Sequence, residues 1–230
     1  MKIAIIGAMR EEIDPLLSKM DSVIETQYAN NTYYETVYNG KKLVIAYSKI
    51  GKVFSALTAT ILIEKFGCQT VLFSGVAGAI SSELKIGDLI IADGLCQHDL
   101  DITAFGHPYG YVPEGEVCIP TDAKLREIAK KIAANKGIVL KEGIIATGDQ
   151  FVACGEKKSW VAETFKASAL EMEGASVAVV CNALNVPFFI LRAISDTAND
   201  EAGVDFDTFL ESSAKISADF ILDMVDEIYA

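Results

Sequence analysis

Three carboxylates stand out by position. Glu12 follows a short β-rich run, Lys2 to Ile6, and the Gly7 that ends it, and falls in the first turn of the helical spacing beyond. Glu173 closes Glu171-Met172-Glu173-Gly174 after an apolar run, and Asp196 closes Leu191-Arg192-Ala193-Ile194-Ser195-Asp196. Open α/β sheets bind ligands beyond the carboxyl ends of their strands, so Glu173 and Asp196, read as ending neighbouring strands, are expected to meet over one pocket that Glu12 can also reach. Taken singly, each also suits a structural role, because acids are favoured as helix caps and in first turns. Three acids without metal ligands point to acid–base work. Cleaving a glycosidic bond needs one carboxyl to protonate the leaving group, another to activate water, and often a third for sugar hydroxyls. Phe151, in Thr147-Gly148-Asp149-Gln150-Phe151-Val152, offers a flat platform beside backbone hydrogen-bonding groups, which narrows a glycoside to a nucleoside.

The elements that must hold these residues follow from pattern. Met9, Ile13, Leu16 and Leu17 recur at helical spacing after the first strand. Thr32 to Tyr38 and Lys41 to Ser48 flank Asn39-Gly40, a hairpin turn signal. A helix is predicted from about Lys52 to Phe66, with Val53, Leu57, Thr60, Ile61 and Ile63 inward and Gly67 as its stop. Thr70 to Ser74 reads as a buried strand ending in a Gly75-Val76-Ala77-Gly78 turn, whose small residues let backbone amides approach a ligand. Leu89 to Cys96 reads as the next strand. The irregular segment His98 to Pro113 carries Phe105, His107, Pro108, Tyr109, Tyr111 and Pro113, suited to a partner subunit or an apolar ligand tail. Asp122 to Asn135 is an amphipathic helix and Ile138 to Ala146 a strand. Phe206, Phe209, Leu210, Ser213, Ser217, Phe220, Met224 and Ile228 trace one face of a long terminal helix. Ten acids against Lys215 alone from Asp196 onward read as its solvated face.

Composition excludes whole classes of function. The chain has 230 residues, 51% of them hydrophobic, and a mean hydropathy of +0.30, enough for one well-buried α/β domain spanning 1–230. A net charge of -12 opposes nucleic acid and anionic membrane surfaces. No run reaches the length of a membrane span, and the first residues do not read as a secretory signal. Five widely spaced cysteines and two histidines offer neither a disulfide framework nor a zinc site. The expectation is a reduced, metal-free cytoplasmic protein with no cofactor. Gly7-Ala8-Met9, followed by acids, lacks the glycine fingerprint of a dinucleotide site.

The blocks Gly7-Ala8-Met9-Arg10-Glu11-Glu12, Ser74-Gly75-Val76-Ala77-Gly78, Thr103-Ala104-Phe105-Gly106, Gly148-Asp149-Gln150-Phe151, Glu171-Met172-Glu173-Gly174 and Arg192-Ala193-Ile194-Ser195-Asp196, in this order, closely resemble the 5′-methylthioadenosine/S-adenosylhomocysteine nucleosidases. The resemblance spans essentially the whole chain. It implies a three-layer α/β/α sandwich with a central mixed β-sheet, of the nucleoside phosphorylase type, assembled as a homodimer. It implies hydrolysis of adenine nucleosides, with methylthioadenosine, S-adenosylhomocysteine, 5′-deoxyadenosine and 6-amino-6-deoxyfutalosine as substrates in the family, serving methionine salvage or menaquinone synthesis. It also implies roles. Asp196, placed by Ser195, protonates nitrogen 7 of adenine, and Glu12 activates water. Glu173 binds the ribose hydroxyls and Met172 lines the sugar. Phe151 stacks on adenine while the Val152 backbone reads its edge. Met9, Ile50, Val76, Ala77 and Gly78 complete the substrate pocket. Phe206, with Phe105 and Pro113 from a second subunit, encloses the 5′-alkylthio group.

Two positions depart from the family pattern. Arg10 stands where an acid is common, and Val76 where serine is common. Phosphorylases of the same fold hold phosphate with arginines, so Arg10 keeps a purine nucleoside phosphorylase open as the alternative, against the repulsion Glu12 would exert on phosphate. A non-catalytic adenosine-binding module is the reading from another class, and it requires that the three acids fail to converge.

Overall fold

Ten strands and six helices form among the described residues. The computed structural model describes residues 1–198 and 202–229. The elements are β1 (Lys2–Gly7), α1 (Arg10–Leu17), β2 (Val23–Tyr28), β3 (Asn31–Tyr38), β4 (Lys41–Tyr47), α2 (Lys52–Glu64), β5 (Thr70–Ala79) and β6 (Leu89–Gln97). There follow a short 3-10 turn at Thr103–Phe105, β7 (Cys118–Pro120), α3 (Ala123–Lys136), β8 (Leu140–Thr147), α4 (Gly155–Phe165), β9 (Ala167–Glu171), α5 (Gly174–Ala183), β10 (Phe188–Asp196) and α6 (Ala202–Ile228). Among the described residues no helix is long and apolar enough to cross a membrane.

The mixed sheet runs β10-β6-β8-β9-β5-β1-β4-β3-β2, with β7 on β6. Because β10 also pairs with β5, five of these strands close into a ring, from which β1, β4, β3 and β2 extend as an open wing. Glu173 and Asp196 therefore do not end neighbouring strands. β5 lies between β9 and β10, antiparallel to the first and parallel to the second.

Strands buried on both faces need continuous apolar sequence, and β1, β5 and β10 have it. Alternate residues along them feed two cores. Ile6, Val71, Phe73 and Ile190 pack with Leu62 of α2 and Val177 of α5 on one side. Ile3, Ile5, Leu72 and Phe189 pack with Leu16 of α1, Ile132 of α3 and Phe220 of α6 on the other. The layers are α/β/α, as the sequence predicts.

Several local expectations differ from what is observed. Gly75 to Gly78 is no turn. β5 continues fully buried to Ala79, since the absence of side chains lets β10 and neighbouring carboxylates press against it. Val53 and Leu57 of α2 face outward, 76% and 43% exposed. The helix instead meets α5 through Ser55, whose hydroxyl lies 2.6 Å from that of Ser176, and through Ala59 and Leu62. An apolar helix has no unique inward face, and here the smaller residues took the tight contact. On α6, Ser213, Ser217, Phe220 and Met224 are buried, but Phe209 is exposed. Its acids are partly paired rather than merely solvated: Asp219, Asp223, Asp226 and Glu227 reach Lys19, Lys136, Lys41 and Lys131. β2 and α4 have no counterpart in the sequence reading, because Val23–Tyr28 is exposed along almost its whole length and Gly155–Phe165 buries only Val161 and Phe165.

Candidate active site

A cavity of about 310 Å³ opens at the end of β5 and β10. Of the residues expected at one site, Met9, Glu12, Ile50, Val76, Ala77, Gly78, Phe151, Val152, Met172, Glu173, Ser195, Asp196 and Phe206 all line it. Phe105 and Pro113 do not. Both are exposed, Phe105 to 81%, on the connection between β6 and β7. That loop is well built: Asp101 caps the 3-10 turn by accepting from the Thr103 amide and hydroxyl, and the Gly110 amide donates to Leu100.

Glu12 is buried because the turn between β1 and α1 folds its own amides around it. Its Oε2 accepts from the Ala8 and Met9 amides, and its Oε1 from the Val76 amide at 3.0 Å. At Gly75 a Cβ would stand 2.8 Å from Glu12 Oε1, so this approach requires glycine. Burial raises the Glu12 pKa, against Arg192 and the three amides, which favour the carboxylate.

Asp196 is aimed by a β-bulge. Ile194 pairs with Ala77 and Asp196 with Gly78, leaving Ser195 as the extra residue. A bulge re-aims the side chain that follows it, and here the carboxylate swings over Gly78, where a Cβ would lie 2.6 Å from Oδ1. Ser195 Oγ donates to Oδ2 at 3.0 Å and the Ala198 amide to Oδ1 at 2.8 Å. The Ile194 carbonyl beside the bulge is taken up by the Gly87 amide and the Ser213 hydroxyl. Burial raises the Asp196 pKa and those two donors oppose the rise.

Glu173 precedes α5 and accepts at Oε1 from the Gly51 amide at 2.9 Å. Its pKa is pushed up to about 8, first by burial and then by Glu171. Glu171 and Arg192 form an ion pair at 2.7 Å with both side chains almost fully buried. Glu171 also accepts from Thr147 Oγ1 and the Gly174 amide, and Arg192 stacks on Phe73 at 4.1 Å. One cation, Arg192, thus faces three acids, Glu171, Glu12 and Glu173.

The sequence reading assigned no role to Ala8, Gln150, Leu170, Glu171 and Ala198, which also line the cavity, or to Arg192 beneath it. A signal for the last existed: a lone arginine in an apolar strand must find a buried partner, and Glu171 sits at the end of another. Arg10 is outside the cavity. It is exposed, bonds the Tyr34 hydroxyl, lies over the Tyr34 and Tyr47 rings and meets Asp14 at 3.6 Å. Among the described residues the lining contains no lysine, arginine or histidine, and no group of His, Cys, Asp or Glu is placed to hold a metal ion.

The family model of the phosphorylase superfamily matches residues 2–226. An aminodeoxyfutalosine nucleosidase of Campylobacter jejuni is 57% identical over 228 residues, covering 99% of this chain and all of the relative. A 5′-methylthioadenosine/S-adenosylhomocysteine nucleosidase of Actinobacillus succinogenes is 39% identical over 229 residues, again 99% of this chain and all of the relative. A crystal structure of the Helicobacter pylori 5′-methylthioadenosine/S-adenosylhomocysteine nucleosidase, complexed with a pyrrolopyrimidine–pyrrolidine compound, superposes with a TM-score of 0.97 at 53% identity over 98% of each chain.

Proposed function

The chain belongs to the phosphorylase superfamily, among its nucleosidases, and is an N-glycosyl hydrolase; from that premise we propose that it releases adenine from 6-amino-6-deoxyfutalosine, 5′-methylthioadenosine, S-adenosylhomocysteine and 5′-deoxyadenosine. The observation that carries this reading is the convergence of Glu12, Glu173 and Asp196 on one cavity whose described lining has no cation. Phosphate would meet four carboxyl groups and, among the described residues, no cation in the lining, whereas water suits Glu12. The phosphorylase alternative loses its support with Arg10, which is engaged by Tyr34, Tyr47 and Asp14. Relatives named for aminodeoxyfutalosine and relatives named for methylthioadenosine and S-adenosylhomocysteine are both closely similar to this chain, which supports one site that accepts all three. Menaquinone synthesis and methionine salvage are the routes such substrates serve.

In this reading Asp196 gives its proton to nitrogen 7 of adenine. Its raised pKa keeps the proton available, and Ser195 and the Ala198 amide fix the carboxyl. As the glycosidic bond lengthens, positive charge grows on the sugar and the acids around Arg192 stabilise it. Glu12, held by three amides, takes a proton from the attacking water. Glu173 accepts from the ribose hydroxyls, Met172 covers the sugar, and Phe151 stacks on the base beside Val152. Phe151 and Phe206 already stand edge to face, with ring centres 5.7 Å apart.

The 5′ substituent would be closed in by Phe105 and Pro113 of a second copy. Supporting a homodimer, Ile50, Val53, Phe54 and Leu57 expose apolar surface along the start of α2, near the root of the loop that carries Phe105. The cysteines are all unpaired, as suits the cytoplasm. The test is adenine release from aminodeoxyfutalosine and methylthioadenosine in phosphate-free buffer. Hydrolysis without phosphate, lost by ~10²-fold or more in Asp196→Asn, supports the reading; release that requires phosphate and yields a sugar 1-phosphate overturns it.

A further inference from the structure

Three consecutive residues from the end of β6 hold the start of α2 and the segment that precedes Phe151. The Gln97 side chain accepts from Lys52 Nζ at 3.1 Å. His98 is 1% exposed, and its ring fills the space a Cβ at Gly148 would need, 2.3 Å from that point. Asp99 Oδ2 accepts from the Asp149 amide at 2.8 Å while its Oδ1 pairs with Lys52 Nζ at 2.7 Å. The cycle closes because Asp149 Oδ1 accepts from the Lys52 amide at 2.8 Å. Next to that amide is Gly51, with φ +100°, whose missing side chain leaves room for Asp149 and whose own amide donates to Glu173.

We propose that Asp149 is a positioning residue: with Asp99 and Lys52 it clamps the start of α2 to the loop bearing Phe151, so that the group holding the base and the group holding the ribose are set by one linkage. The inference rests on the roles of Phe151 and Glu173 given above. Two neighbouring amides leave the start of α2 in different directions. Lys52 N–H goes to Asp149 and Gly51 N–H to Glu173, so releasing the first frees the second to drift. Glu173 faces Glu171, Arg192 and Glu12 from the surrounding elements, and the Gly51 amide is its one short hydrogen bond to α2. A displacement of about 1 Å at such a contact costs on the order of 10²-fold in rate.

The experiment compares Asp149→Ala with Asp149→Asn in the full chain. Asparagine retains the oxygen that accepts from Lys52, so kcat/KM for adenine release stays within about threefold of wild type, whereas alanine lowers it about 10–100-fold, mostly in kcat, without lowering Tm. Amide hydrogen exchange is read in parallel: alanine accelerates exchange at 51–52 and 149–152, and asparagine does not. Alanine that behaves as wild type in both measurements, or asparagine that fails as alanine does, overturns the proposal. If Asp149→Ala does not fold, Asp149→Ser, which removes the carboxylate and keeps a polar side chain, is held to the same criteria. Wild-type turnover scores the proposed function, while the exchange pattern scores the clamp whether or not adenine is released.

Discussion

Glu173 illustrates how a residue of the proposed site is held at a cost to the fold. Its carboxyl keeps its proton up to about pH 8 in the folded chain, far above the ordinary value of 4.5, because it is buried beside Glu171. Between those values the folded state carries a proton that the unfolded state has lost, so folding stability declines as pH rises and levels off above the folded value. Glu12 and Asp196, also raised, act in the same direction. Glu173→Gln removes one such contribution. Its Tm advantage over wild type is expected to be larger at about pH 9 than at about pH 5, with turnover severely reduced; an equal difference at both pH values would contradict the assignment. The three acids were legible in sequence because each follows an apolar run. Arg192 left a signal as a lone arginine in an apolar strand, but its pairing with Glu171 did not, since a pair contributed by two separate strands leaves no joint pattern in either one.

Among elements, the bulge in β10 bears most on the proposed chemistry. It leaves Ser195 as the extra residue and sets Asp196 against Gly78 of β5, so two small features on adjacent strands fix one carboxyl. Gly78→Ala places a methyl where Asp196 Oδ1 now lies, and the flexible carboxyl yields before the backbone does. The expected result is a folded protein, by circular dichroism, with kcat lowered about 10²-fold; full activity would mean that Asp196 tolerates displacement. The Ser195 bulge could not be read from Leu191 to Asp196, because an extra residue is defined only by the partner strand. For the same reason Gly75 to Gly78 reads as a turn when it is strand: glycine and alanine signal loops until the pressing neighbours are known. Helix α2 failed differently. Its apolar residues cover most of its circumference, and hydrophobicity alone does not rank Val53 above Ala59 for burial.

At the scale of the whole molecule, two exposed apolar surfaces bear on the proposed homodimer. The face of α2 with Val53, Phe54 and Leu57 and the projecting Phe105 together resemble halves of a contact. Val53→Ser with Leu57→Ser is expected to yield monomers in analytical ultracentrifugation, with a raised KM for methylthioadenosine; dimers that persist in the double variant would refute the arrangement. The α/β class was evident from the alternation of apolar runs and helices, and the three-layer arrangement from the family resemblance. The closure of five strands into a ring was not, because it depends on β10 pairing with both β5 and β6, segments about a hundred residues earlier. That closure also gives the molecule a history. While the chain is being synthesised, β5 and β6 emerge long before the strand that must lie between them, and pairings of such sequence separation form slowly. The cavity comes into being only when Phe188–Asp196 has left the ribosome, so the catalyst waits on a strand made about a hundred residues after the two that it joins.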